Sequence, residues 1–246
     1  MRIYQVSDCH LSFDDHDVKA NLIQVLQHIE RQADGDMLLL TGDLVSDPSI
    51  EIYTAFKAII EAHVTLTQIY AIAGNHDDLS LMKQAFKQSA IQIKSLVRLD
   101  SDHRLLLIDS SLKPIETDAM PLGAGRVSKH ALALLKKETR KQVSIVVIHH
   151  PVLNLGARWF TQIGIENHQA VINAIHPQTL AVISGHAHHY FKHSIKGSLE
   201  QIVSPATSYG FNHDCDHYEK EAVIGYMAYQ FNTKTAQLTH QVCWVD

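Results

Sequence analysis

The stretch Met37-Leu38-Leu39-Leu40-Thr41-Gly42-Asp43 decides the fold. Four apolar residues run into a glycine and then an aspartate. A run without polar alternation predicts a strand covered on both faces, the mark of a parallel sheet flanked by helices. Gly42 permits a sharp turn where the strand stops. Asp43 is left at the strand's carboxyl end, where open α/β sheets bind ligands. Alone, the pattern is also that of an ordinary turn. Four more runs repeat it. Residues 3–7 end in Asp8-Cys9-His10, and residues 68–73 in Gly74-Asn75-His76-Asp77. Residues 144–148 end in His149-His150-Pro151, and residues 180–184 in Gly185-His186-Ala187-His188. With all five carboxyl ends on one side, these Asp, Asn and His clusters meet at one rim. That donor set predicts a metal site.

Composition narrows the function classes. The chain of 246 residues is 46% hydrophobic, enough for a sizeable core, and is expected to form one domain over residues 1–246. A formal charge of −5 argues against a nucleic-acid tracking surface or an anionic-membrane surface. The 18 histidines are the unusual item, and histidine is the commonest metal ligand. Cys9, Cys215 and Cys243 are scattered and form no Cys-x-x-Cys pair, which favours a reducing, cytoplasmic setting. No signal peptide or membrane-spanning apolar run is visible.

In chain order, Val18, Leu22, Val25, Leu26 and Ile29 fall at helical spacing between the first two strands. This βαβ unit implies parallel strands with a right-handed crossover. A second helix is expected over residues 49–62 and a third over 79–88. Residues 91–99 and 104–108 are expected to be two strands. A long irregular stretch, 109–127, precedes a helix capped by Ser128. After residue 189 the pattern is β: strands at 190–196, 199–203, 222–231 and 237–242, with hairpin turns at Lys196-Gly197 and Asn232-Thr233-Lys234. Residues 204–220 between them look irregular.

The ordered series Asp-x-His, Gly-Asp, Gly-Asn-His-Asp, His-His-Pro, Gly-His-x-His resembles the calcineurin-like metallophosphoesterase superfamily. The resemblance runs from Asp8 to His188, and each motif follows a strand-like run. It implies a four-layer α/β/β/α sandwich of two mixed sheets with flanking helices, and a two-metal centre. By that resemblance Asp8, His10, Asp43 and His188 bind one metal, and Asp43, Asn75, His149 and His186 the other. Asp43 bridges, since one carboxylate can span cations about 3.5–4 Å apart. The imidazole-rich set favours divalent or mixed-valence transition metals, manganese or iron first, zinc or cobalt next. By the same resemblance a metal-bridging hydroxide attacks the phosphorus. His76 sits beside the leaving oxygen as acid or clamp, and Asp77 orients it.

Departures narrow the family. Val45-Ser46-Asp47-Pro48 lacks the arginine of Ser/Thr protein phosphatases, and Ser46 replaces the tyrosine of purple acid phosphatases. His76 stands where lipid-A-pathway pyrophosphatases carry arginine. What remains resembles bacterial class III cyclic-nucleotide phosphodiesterases and their glycerophosphodiesterase relatives, with weaker likeness over residues 105–110, 125–135 and 204–208. The implied substrate is a small phosphodiester, with a 3′,5′-cyclic nucleotide such as cyclic AMP yielding the 5′-monophosphate. The alternatives are a broad or glycerophospho-type phosphodiesterase or phosphomonoesterase, and a metal-binding or nucleic-acid-binding protein without turnover. Arg126, where some relatives carry His-Gly, joins Asn75 and His76 as a substrate-binding candidate. Tyr209 and Phe211 are two more. Their rings either stack on a nucleobase or pack their loop onto the second sheet. Cys9 is expected to point away from the metals. His150 and His189 adjoin motif residues and are candidates for supporting roles. The string from His213 to His217 looks metal-binding but has no strand to preorganise it.

Overall fold

The structure, a computed structural model, describes residues 1–115 and 121–245. Residues 116–120 of the long irregular stretch lie outside the described residues. The first sheet holds β1 (Arg2–Val6), β2 (Met37–Thr41), β3 (Ile69–Ile72), β4 (Ile91–Gln92), β13 (Ile224–Asn232) and β14 (Gln237–Val245), in the order β14-β13-β1-β2-β3-β4. The second holds β5 (Leu96–Arg98), β6 (His103–Ile108), β7 (Val143–Ile148), β8 (Ala181–Ser184), β9 (Phe191–Lys196) and β10 (Leu199–Val203), in the order β5-β6-β7-β8-β10-β9. Both sheets are mixed. β1 to β4 run parallel, as do β6, β7, β8 and β10, and antiparallel strands complete each sheet.

The unbroken apolar run of β2 now has its physical reason. Leu38 and Leu40 pack with Leu22, Leu26, Tyr53 and Phe56 of α1 (His16–Gln32) and α2 (Ile50–His63). Met37 and Leu39 point the other way, against Leu105, Leu107, Ile145 and Val147 of the second sheet. Both faces are dry, so alternation would place a polar side chain in a core. Each such side chain contributes about 1.5–3 kcal/mol by its burial. On the far side, α4 (Lys129–Lys141) and α5 (His168–Ala174) cover the second sheet, with Leu135 and Val171 beside Val146 and Ile148. The result is the expected α/β/β/α order of layers. Helix starts follow local chemistry: Asp15 accepts Asp17 N–H and Val18 N–H at 3.0 and 3.2 Å, and Ser128 accepts Ala131 N–H at 3.0 Å.

Three expectations need correction. Residues 91–99 are not one strand: β4 joins β3 in the first sheet, β5 joins β6 in the second, and the chain crosses between sheets at Ile93-Lys94-Ser95. The third helix, α3 (Leu79–Ala85), stops early, and Gln88 adopts a left-handed φ of 62°. Residues 204–220 are not wholly irregular, because β11 (Gly210–Phe211) pairs with β12 (Lys220–Glu221) as a small hairpin. No helix among the described residues is long and apolar enough to cross a membrane.

A buried polar band ties the sheets together near their carboxyl ends. Gln5 Nε2–H donates to Thr41 Oγ1 at 2.9 Å and Ser184 O at 2.8 Å, while Tyr229 O–H donates to Gln5 Oε1 at 2.7 Å. Gln201 Nε2–H donates to Ser184 Oγ at 2.9 Å, and its Oε1 accepts the Val152 and Leu153 N–H groups. A satisfied network of this kind fixes the relative position of the two sheets. It lies directly beneath the loops that carry the candidate ligands.

Candidate metal centre

The five strand-end clusters do meet. Asp8 N–H donates to Gly42 O at 3.0 Å and His10 N–H to Asp43 O at 2.9 Å, locking the loop after β1 to the loop after β2. Gly185 N–H donates to His149 O at 2.9 Å, and His186 N–H to Asp8 Oδ2 at 2.9 Å, which joins the second sheet's loops to the first's. The backbone is forced to turn side chains inward. Asp8, His10, Asp43, His186 and His188 all have positive φ, 53°, 45°, 49°, 70° and 49°. Non-glycine residues held there cost on the order of 1–3 kcal/mol each and cluster at functional sites. Gly42, at φ 95°, lets Asp43 enter; a Cβ on it would lie 2.5 Å from His149 Nδ1.

Asp43 occupies the middle. Its Oδ2 lies 3.6 Å from His10 Nε2 and 3.5 Å from His149 Nε2. On one side, Asp8, His10 and His188 hold donor atoms within 4.8 Å of one another, with His10 Nε2 and His188 Nε2 facing at 3.0 Å. On the other, Asn75 Oδ1 is 3.2 Å from His149 Nε2, and the His149 and His186 rings meet edge-on with centroids 5.1 Å apart. All but Asn75 of this set are buried.

The ligand-free chemistry fits a dinuclear divalent metal centre. Backbone carbonyls only accept, so a ring nitrogen bonded to one carries the proton and the other keeps a lone pair. His149 Nδ1–H donates to Thr41 O at 2.8 Å, His188 Nδ1–H to Tyr209 O at 2.8 Å, and His186 Nε2–H to Ile163 O at 2.9 Å. The opposite nitrogens of all three are left for a cation. Asp8 Oδ1 is buried with no hydrogen-bond partner among the described residues, and orphaned carboxylate oxygens of this kind are costly without a charge to meet them. Burial holds His10 down at about 4, and holds His186 and His188 well below the usual imidazole range, so these rings stay neutral and can ligate. Burial pushes Asp8 up. The same force acts on Asp43, but with no cation bound the neighbouring carboxylates push His149, against its own burial, up to about 9, and that imidazolium holds Asp43 ionised; a metal ion on His149 Nε2 would take the place of that proton.

His150 is close to this set but differs chemically. Its Nε2–H donates to Gly123 O at 3.0 Å, and its Nδ1 accepts Ser110 O–H at 2.8 Å. Both nitrogens are spent, so it supports the His149 and His186 rings and has no lone pair for a metal. His76 is exposed and lines the pocket. Its N–H donates to Asp43 Oδ1 at 2.9 Å, and its Nδ1–H faces Ser46 O at 3.3 Å, leaving Nε2 toward the cavity. Asp77 does not orient it. The Asp77 carboxylate accepts Gly74 N–H at 2.9 Å, Leu44 N–H at 3.2 Å and Tyr53 O–H at 2.9 Å, and so shapes the loops on either side of Asp43. Burial and the Asp43 charge push it up to about 6.

A cavity of about 450 Å³ opens over the centre, walled by His10, Asp43, Asn75, His76, His186 and His188, with Tyr209, Phe211, Tyr218, Leu122 and Ile163 around its mouth. Phe211 stacks on the His188 ring at 4.0 Å and 12°, and Tyr209 lies against both His10 and His188. Arg126 is not brought to this cavity; it pairs with Glu166 instead. Three features escaped sequence reasoning. Tyr218 is an exposed ring at the mouth, 53% accessible. The Lys220 ammonium sits 3.6 Å over the Tyr209 ring. The Ser46 carbonyl holds His76. Tyr218 and Lys220 lie in a stretch that reads as irregular, and a backbone carbonyl such as that of Ser46 leaves no mark in a sequence.

Comparison with known proteins agrees with this geometry. The family model described as calcineurin-like phosphoesterase matches residues 1–190. A 3′,5′-cyclic adenosine monophosphate phosphodiesterase, CpdA, of Haemophilus influenzae is 27% identical over 235 residues, covering 91% of this chain and 82% of that one. A probable glycerophosphodiester phosphodiesterase, GpdQ, of Arcobacter nitrofigilis is 28% identical over 206 residues, covering 76% and 72%. Among solved structures, a dimetal phosphatase from Danio rerio superposes with a TM-score of 0.69 at 11% identity, covering 99% of this chain and 96% of that one, a likeness of fold.

Proposed function

The chain belongs to the calcineurin-like phosphoesterase family, and from that premise we propose that it hydrolyses a small phosphodiester, a 3′,5′-cyclic nucleotide of the cyclic AMP kind, to the 5′-monophosphate. The observation that carries the proposal is Asp43 Oδ2, set 3.5–3.6 Å from two imidazole nitrogens on opposite sides, at the floor of an open cavity. In this reading Asp8, His10 and His188 hold one cation, Asn75, His149 and His186 a second, and Asp43 both. The mixed nitrogen and oxygen set suits manganese or iron, with zinc or cobalt as further options. Two such cations neutralise phosphate charge and activate the attacking water when bound.

The remaining work falls to side chains of the chain itself. His76 Nε2, protonated, gives its proton to the leaving 3′ oxygen, and the Ser46 carbonyl on Nδ1–H stabilises the charged ring. Tyr209 and Phe211 brace His188. Tyr218, half exposed at the mouth, would then be the ring that stacks on a base. The cavity volume suits a mononucleotide.

The similarity to the Arcobacter protein supports a second reading, a glycerophosphodiesterase. An assay of the manganese-loaded enzyme on cyclic AMP, an aryl phosphodiester, glycerophosphoethanolamine and an aryl phosphomonoester separates these. The proposal requires turnover of cyclic AMP and the aryl diester above that of the monoester. Turnover of the glycerol diester without cyclic AMP selects the second reading, and preference for the monoester defeats both.

A further inference from the structure

The hairpin at the pocket mouth carries another cluster of donors. β11 and β12 pair Gly210 with Glu221 and Phe211 with Lys220, and Asn212 N–H donates to Glu219 O at 3.0 Å. Residues 212–219 are therefore a closed loop on a paired base, which supplies the preorganisation that the sequence did not reveal. His213 is not part of the donor set. Its Nε2–H donates to Ala187 O at 2.8 Å, its Nδ1 accepts Ala157 N–H at 3.1 Å, and its ring stacks within 4° of the Trp159 plane. His213 pins the hairpin to the body of the protein.

Cys215, His217 and Glu219 remain, and their donor atoms lie within 4.8 Å of one another. Three oxygens surround Cys215 Sγ: His217 O at 3.2 Å, and Asn212 O and Glu219 Oε2, each at 3.5 Å. Glu219 Oε2 also accepts Asn212 Nδ2–H at 3.0 Å, which holds the carboxylate beside the sulfur. His217 and Glu219 are exposed, so an ion has access, and the exposed Asp214 and Asp216 add negative potential around the loop.

We propose that Cys215, His217 and Glu219 form a binding site for a divalent transition cation, zinc foremost, separate from the dimetal centre. One thiolate, one imidazole and one carboxylate are a zinc donor set that leaves a fourth position for water. The thiolate disfavours magnesium and calcium. Binding replaces the Cys215 thiol proton with the ion, and the proton leaves to solvent. The ion would close the loop that carries Tyr218, a residue of the catalytic pocket wall.

Cobalt(II), a spectroscopic stand-in for zinc, tests the site in the full chain kept reduced by a phosphine. Thiolate ligation to cobalt gives an intense near-ultraviolet charge-transfer band that nitrogen and oxygen ligands do not. No candidate ligand of the dimetal centre is a cysteine, and Cys9 is buried in the apolar core, so the band reports the hairpin. The expected result is a saturable band that zinc displaces, that Cys215→Ser abolishes and Cys243→Ser leaves in place. His217→Ala and Glu219→Gln should each shift its titration to roughly tenfold higher cobalt or more. No band in the wild type, a band surviving Cys215→Ser, or an unchanged titration in His217→Ala overturns the proposal. Asp43→Ala should keep the band, so the outcome does not depend on the phosphodiesterase assignment.

Discussion

Gly74→Ala is the sharpest probe of the centre. Gly74 does not lie in the left-handed region, so alanine is compatible with its backbone. The added Cβ would lie 2.8 Å from Asp43 Cγ, with Oδ1 nearer still. Ordinary contact begins at about 3.4 Å and the Asp43 backbone nitrogen would stand at 2.4 Å, so the backbone and carboxylate of Asp43 must retreat together by about 1 Å. Functional constellations tolerate about 0.5 Å of error. A misplacement of about 1 Å costs on the order of 10²-fold, about 2.7 kcal/mol of barrier. The expected outcome is an unchanged far-ultraviolet circular dichroism spectrum, manganese content below two per chain, and kcat/KM for an aryl diester reduced about a hundredfold. Elemental analysis and steady-state kinetics on one preparation check both. A variant with two metals per chain and kcat/KM within about threefold of wild type would refute the argument, because the centre would then not depend on where Asp43 stands.

Four other outcomes follow from the geometry. Asp43→Ala should release both cations and abolish turnover, as elemental analysis would reveal; two metals retained per chain would contradict a shared bridge. His76→Ala should keep both metals and lower kcat by on the order of 10²–10⁴, and metal loss in step with activity would make His76 a ligand instead. Tyr209→Ala with Phe211→Ala should lower kcat/KM for cyclic AMP and for a base-free aryl diester alike, since both rings brace His188, whereas Tyr218→Ala should raise KM for cyclic AMP alone. Cys9→Ser should leave metal content and activity near wild type, because the side chain is buried away from the cations and burial keeps the thiol protonated; a large loss would point to a redox role.

Much of the architecture was legible because β2 and its parallel neighbours are dry on both faces, and that condition writes itself directly into a run such as Met37-Leu38-Leu39-Leu40. The strand-end clusters were legible for a related reason: a carboxylate or imidazole directly after such a run has few places to go but the rim. Contacts between distant segments were not. Nothing local tells that Ile91-Gln92 and Leu96-Val97-Arg98 belong to different sheets, since each is too short to show a period. Arg126, a substrate-binding candidate from the sequence, is paired with Glu166, forty residues on. Asp77 looked like a partner for its neighbour His76, yet adjacency in sequence turns the two side chains apart, and a backbone carbonyl, which no sequence pattern marks, takes the role. The band of Gln5, Thr41, Ser184, Gln201 and Tyr229 is spread over five strands and has no spacing to detect.

The spacing inside the motifs has its own physical cause. In Asp8-Cys9-His10 and in His186-Ala187-His188 the outer residues have positive φ and turn into the site. The middle residues, Cys9 and Ala187, are fully buried on the opposite side, Cys9 in the helix-facing core of the first sheet and Ala187 among Leu155, Phe160 and Val203. Each loop is therefore nailed down by its middle residue and presents a candidate ligand on either side of the nail. Small side chains suit that place, since a larger one would lift both ligands at once and cost about 1–3 kcal/mol in overpacking. Four strained candidate ligands in two loops, with Asp43 as a fifth, cost on the order of 5–15 kcal/mol of conformational energy. A chain only marginally stable as a whole can hold such strain because the buried band beneath and the dry layers around it leave the loops no alternative. On the proposed reading, cations would meet candidate ligands already in place, and little of their binding energy would go into ordering them.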